Sequence, residues 1–142
     1  MRFMMVVKAD SGYEAGRPLD PALLAAVGEF SAKMTKAGVL LQQGGLLPSS
    51  KGARVRVSGG KMTVTDGPFA ETKEVIGGFA ILEAASKEDA IRLGKEFMQV
   101  HVDVLGESYE GTLEIRPMFD TANGGCAPSE AAGTELHSLA RS

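Results

Sequence analysis

Ten residues, Thr65 to Glu74, gather most of the groups in this chain that could do chemistry. Asp66-Gly67-Pro68 is turn chemistry. Gly67 tolerates a positive φ, Pro68 fixes its own φ and restrains the residue before it, and Asp66 suits backbone N–H groups two residues on. A turn accounts for Asp66 and Gly67 but not for Phe69, Glu71, Thr72 and Lys73 arriving with them. Phe69 could wall an apolar pocket with Glu71 and Lys73 at its mouth, which suits a small organic anion or an aromatic ligand. The plainer alternative makes Phe69 a plug under the loop and leaves Glu71 and Lys73 solvated. Asp66 would serve as a general base or an anchoring carboxylate if a cleft buried it, and as a turn cap otherwise. The ligand-binding set expected on these residues is Asp66, Gly67, Pro68, Phe69, Glu71, Thr72 and Lys73.

His101 is the second candidate for catalysis beside Asp66. With Asp103 two residues on, it forms a carboxylate–imidazole dyad if the segment is extended, whereas in a helix the two side chains diverge. The plainer reading is a histidine near a helix C-terminus, satisfied by the last carbonyls and the dipole. No metal and no cofactor is expected. There is no His-x-x-x-His and no cysteine pair, and the carboxylates are scattered; Asp103 and Glu107, four apart, could share a helical face but in a loop are simply solvated. Gly44-Gly45 and Gly59-Gly60 lack the flanking pattern of a phosphate loop. Cys126 has no basic or histidine neighbour to make it a thiolate.

The elements that must position these groups are legible from periodicity. Phe3 to Val7 is apolar at every position and reads as a strand covered on both faces. Asp20 and Pro21 open a helix whose stripe is Leu23, Val27, Phe30, Met34 and Ala37, with Gly38 as the stop. Val39 to Gln42 is a second strand. Arg54 to Ser58 and Lys61 to Thr65 alternate about Gly59-Gly60, a hairpin with one wet face. Val75 to Leu82 is another covered strand, in which Gly77-Gly78 implies a bulge or a close backbone approach. Ser86-Lys87-Glu88-Asp89 has capping-box form and starts a second helix through Ala90, Leu93 and Phe97. Thr112 to Arg116 is a last strand, closed by Pro117.

This order predicts an α+β fold, a ferredoxin-like split βαβ with an inserted β-hairpin. Both helices then lie on one face of the sheet. A second copy of the chain is the natural cover for the other, so a homodimer is expected. The domain spans residues 1–119. The remainder, 120–142, is an Ala/Gly/Ser/Thr-rich tail, either loosely ordered or packed on the dimer partner. At 142 residues, 44% hydrophobic and 23% charged, the chain can build one core unaided. A net charge of −3 gives no basic footprint for direct nucleic-acid binding. A single cysteine, and a five-residue apolar run near the N-terminus too short to span a bilayer, point to a cytoplasmic protein with no membrane partner.

The run Val64 to Glu74, with Gly77-Gly78-Phe79 after it, resembles the signature of the DGPF group in the YCII-related domain family. Gly38-Val39-Leu40, Gly45-Leu46-Leu47-Pro48, Arg54-Val55-Arg56 and Glu114-Ile115-Arg116-Pro117 match its other landmarks, over about residues 1–119. The resemblance implies a dimeric α+β barrel and a cleft in which many members carry a histidine and an aspartate. It also implies a link to transcription, because some members accompany sigma factors. The family histidine lies on the first helix, and this chain has none before His101, so that pair does not carry over. The Asp66 to Lys73 segment does. Two functions follow as expectations. One is a small cytoplasmic dimer that binds, and on the catalytic reading transforms, a small organic molecule in a cleft lined by Asp66–Lys73. The other is a non-catalytic ligand-sensing or interaction module, tied to transcription through a sigma-factor-type partner.

Overall fold

The two apolar runs become the middle of a sheet. A computed structural model describes residues 1–70 and 74–119. In it β1 (Arg2–Lys8) and β5 (Ile76–Glu83) pair antiparallel at the centre of a four-stranded sheet. The order is β2-β5-β1-β6, with β2 (Leu40–Gly45) and β6 (Leu113–Pro117) as its edges. Every pairing is antiparallel. Phe3 stands opposite Leu82, and Met5 opposite Ala80 and Ile115, so these side chains share one face. Phe3, Met5, Leu40, Leu82, Ala84, Ala90 and Leu93 make the core there. The glycines of β5 do mark a bulge, because the register slips between Val7, opposite Gly78, and Lys8, opposite Ile76.

The helices start where their caps put them. Asp20 accepts from Ala22 N at 2.8 Å ahead of Pro21, opening α2 (Pro21–Lys36). Ser86 accepts from Asp89 N at 3.2 Å, opening α3 (Lys87–Leu105), which runs through His101 to Gly106. One short helix escapes the periodicity. Between β1 and α2 lies α1 (Ser11–Glu14), capped by Asp10. Between β2 and β5 the chain makes a 3₁₀ turn (Ser49–Lys51) and a separate two-stranded sheet. Its strands are β3 (Ala53–Ser58) and β4 (Lys61–Asp66), joined at Gly59-Gly60, both with positive φ.

Two expectations are narrowed. The fold is α+β with antiparallel sheets, but among the described residues the main sheet stops at β2 and β6 and closes no barrel. The hairpin is wet on both faces, not one. Val55, Val57, Met62 and Val64, which share a face by register, are 63–75% exposed. Glu71, Thr72, Lys73 and the tail 120–142 lie outside the described residues.

Candidate functional site

The apolar stripe of α2 does not close on the sheet. Leu23, Val27, Phe30 and Met34 face Met5, Val7, Leu40, Leu82 and Leu113 across a cavity of about 550 Å³, open at one side. That volume lies within the range of small-molecule sites, which are mainly apolar with a few placed polar groups. Besides Lys8 at the end of β1, the polar side chains here come from three places. Asp10, Tyr13 and Arg17 stand on and beside α1, Ser31 and Gln43 join α2 to β2 by a 2.9 Å hydrogen bond, and His101 and Tyr109 lie at the end of α3.

Each group is held by its surroundings. Asp10 accepts from Tyr13 N at 2.7 Å and pairs with Arg17 at 3.0 Å. The Tyr13 N–H and the Arg17 guanidinium hold its carboxyl below the usual carboxylate range, against the opposing effect of partial burial. The Tyr13 hydroxyl donates to Gly77 O at 3.3 Å, tying α1 to the bulge in β5. Burial raises the Tyr13 and Tyr109 hydroxyl pKa values, with further pushes from Glu14 and Asp10 respectively. Four rings then step from α2 along α3 and past its end. Phe97 lies 6.1 Å from Phe30, His101 sits edge-on to Phe97 at 4.8 Å, and Tyr109 stacks on His101 at 5.3 Å.

The Asp66 turn stands elsewhere. None of Asp66, Gly67, Pro68 or Phe69 lines the cavity. Asp66 ends β4 exposed, and among the described residues nothing hydrogen-bonds its carboxylate. The residue two positions on, Pro68, has no N–H to offer, so the expected turn cap does not form. Gly67 is required by contact instead of by positive φ, since a Cβ there would overlap the Ser49 carbonyl oxygen. The Gly67–Pro68 peptide is cis. Phe69 is half-buried, its ring under the Arg54 guanidinium at 4.1 Å.

Ser49 connects the turn to α1. Its hydroxyl donates to Glu14 Oε2 and accepts from Phe69 N at 3.1 Å, while its own N–H donates to Glu14 Oε1 at 2.9 Å. The turn thus reaches the wall of the cavity through Ser49 and Glu14, without lining it.

The His101–Asp103 dyad does not form. The segment is helical, and Asp103 instead accepts from Gln99 Nε2 at 2.8 Å on the exposed side. His101 makes the expected bond to a helix carbonyl, Phe97 O. Among the described residues no group of three or more His, Cys, Asp or Glu side chains lies together, and no helix is long and apolar enough to cross a membrane. Asp10, Tyr13, Arg17, Ser31, Gln43 and Tyr109 escaped sequence reasoning. Only Asp10 carried a signal, a cap residue one turn before Glu14.

The sequence profile of the YCII-related domain family matches residues 1–109. An uncharacterised protein of Rhizobium meliloti (strain 1021) is 34% identical over 86 residues, which are 61% of this chain. The chain spans 64% of that relative's length, a little under two thirds.

Proposed function

Because the chain belongs to the YCII-related domain family, we propose that it binds a small, mostly apolar organic molecule between the sheet and its two long helices. One observation carries this reading: a cavity of about 550 Å³ with apolar walls and a handful of polar groups. Burying a flat hydrocarbon frame there supplies affinity through apolar area, and the polar groups orient it. Among the described residues no carboxylate is hydrogen-bonded to His101, the histidine of that lining. Titration with 2-naphthol, followed by amide and methyl NMR shifts, tests the assignment. Expected are shifts at Met5, Val27, Phe97 and Leu113. Shifts confined to Gly67 and Phe69 would move the site to the turn.

That turn is the second reading, favoured by the Arg54–Phe69 stack beside an exposed Asp66 carboxylate. On it, Asp66, Gly67, Pro68 and Phe69, with Glu71, Thr72 and Lys73 next in sequence, contact a ligand in a cleft completed by a second copy. The sheet order β2-β5-β1-β6 supports the ferredoxin-like reading, and the exposed hairpin face supports a homodimer that closes the barrel. Coupling to a transcription partner would then pass through protein contacts, given the net charge of −3.

A further inference from the structure

We propose that His101 is the hydrogen-bond acceptor of the cavity, and that the ligand is an apolar molecule carrying a hydroxyl or N–H donor. This rests on the cavity reading and adds to it the chemistry of the recognised group. His101 Nδ1 lies 3.0 Å from Phe97 O. A carbonyl oxygen only accepts, so Nδ1 carries the proton, and in the neutral ring Nε2 is left with its lone pair. Among the described residues no group donates to Nε2. The residue is only 8% exposed, yet among the described residues no polar side-chain atom is sealed away without a partner. Nε2 therefore keeps an opening, and His101 belongs to the cavity wall.

The ring is also fixed in direction. Phe97 meets it edge-on, Tyr109 stacks at 27°, and the Phe97 carbonyl holds one nitrogen. An acceptor oriented in an apolar cavity discriminates well. A ligand that lacks a donor leaves Nε2 desolvated and unpaired, while one that places a donor there gains the bond. The polar groups of the lining on and beside α1, the Asp10–Arg17 pair and the Tyr13 hydroxyl, already have partners.

The test compares two probes of one shape on the full chain, 2-naphthol with its hydroxyl donor and 2-methoxynaphthalene without it. Calorimetric titration of the wild type is expected to give 2-naphthol about fivefold the affinity of the ether, the size of one net neutral hydrogen bond. In His101→Phe, which keeps a ring between Phe97 and Tyr109, the ratio is expected to fall to about one, with the ether's affinity within about twofold of wild type. A measurement that needs no change at His101 stands beside these. The chain has two histidines, so His137→Gln leaves His101 alone in a long-range ¹H–¹⁵N spectrum. Its Nε2 resonance is expected to move on adding 2-naphthol and to stay with the ether. Equal affinities in the wild type, a ratio that survives in His101→Phe, or an unmoved Nε2 resonance with the probe bound would overturn the His101 assignment and leave the cavity standing. If neither probe perturbs Met5, Val27 or Phe97, the cavity reading and this inference fall together.

Discussion

A Cβ built at Gly28 meets nothing within 4 Å, whereas one at Gly94 would stand 2.9 Å from Ile115 Cδ1 and 3.0 Å from Leu113 Cδ2. Both glycines are inside helices, so replacement by alanine gains similar backbone propensity at each, about 0.5–1 kcal/mol. At Gly28 that gain is kept. At Gly94 it is offset by the displacement of two core methyl groups where α3 rests on β6. Urea unfolding should place Gly28→Ala above wild type and Gly94→Ala below Gly28→Ala. Val27 tests the cavity at the same scale. Val27→Phe adds a ring where the wall is half-buried and open, so it should weaken 2-naphthol binding about tenfold or more without lowering the melting temperature. A lowered melting temperature with intact binding would show that Val27 packs tightly.

Four residues of helix link the turn to the cavity, and two experiments probe that element. Ser49 is buried, and its hydroxyl serves both Glu14 and the Phe69 N–H. Ser49→Ala strips a partner from each, an expected loss of about 1–3 kcal/mol in urea unfolding. Glu14→Gln should cost less, because its amide oxygen still accepts from the Ser49 N–H. The second experiment concerns pH. Asp10 has a lowered pKa in the folded chain, so its contribution is complete above the ordinary carboxylate value of 3.8 and lost as pH falls through the folded one. Below about pH 4 the wild type should therefore lose more stability than Asp10→Asn, which has no charge to lose. Parallel acid profiles for the two would remove Asp10 from that role. The two long helices were legible because caps and stripes are local, as at Asp20-Pro21 and Ser86 to Asp89. The short one was not. Four residues make no period, and the partners that fix it, Ser49 and Gly77, stand 35 and 64 residues away from Glu14 and Tyr13.

The whole molecule turns on surfaces that one chain leaves open or half-covered. The candidate site was half legible for this reason. His101 could be singled out as a titratable group, but the stripe Leu23, Val27, Phe30 and Met34 reads the same whether it seals a core or walls a cavity. Which it does depends on a helix-to-sheet distance that spacing along the chain does not encode. The hairpin poses the same problem outward. Its alternation predicted one wet face, and the apolar face is wet too, with Val55 opposite Val64 and Val57 opposite Met62. On the main sheet Met4 stands opposite Ile81, both half-buried, on the side away from Phe3 and Leu82. A stable interface needs about 800 Å² from each partner, more than four hairpin side chains supply, so the dimer should use both surfaces. Light scattering at micromolar concentration is expected to give twice the chain mass of 14.9 kDa. Val57→Lys combined with Val64→Lys sets a pair of like charges against its symmetry mate, and should return the mass to that of one chain while far-UV circular dichroism stays unchanged. A dimer that persists in the double variant places its interface off the hairpin, and a wild type at the mass of one chain rules the dimer out.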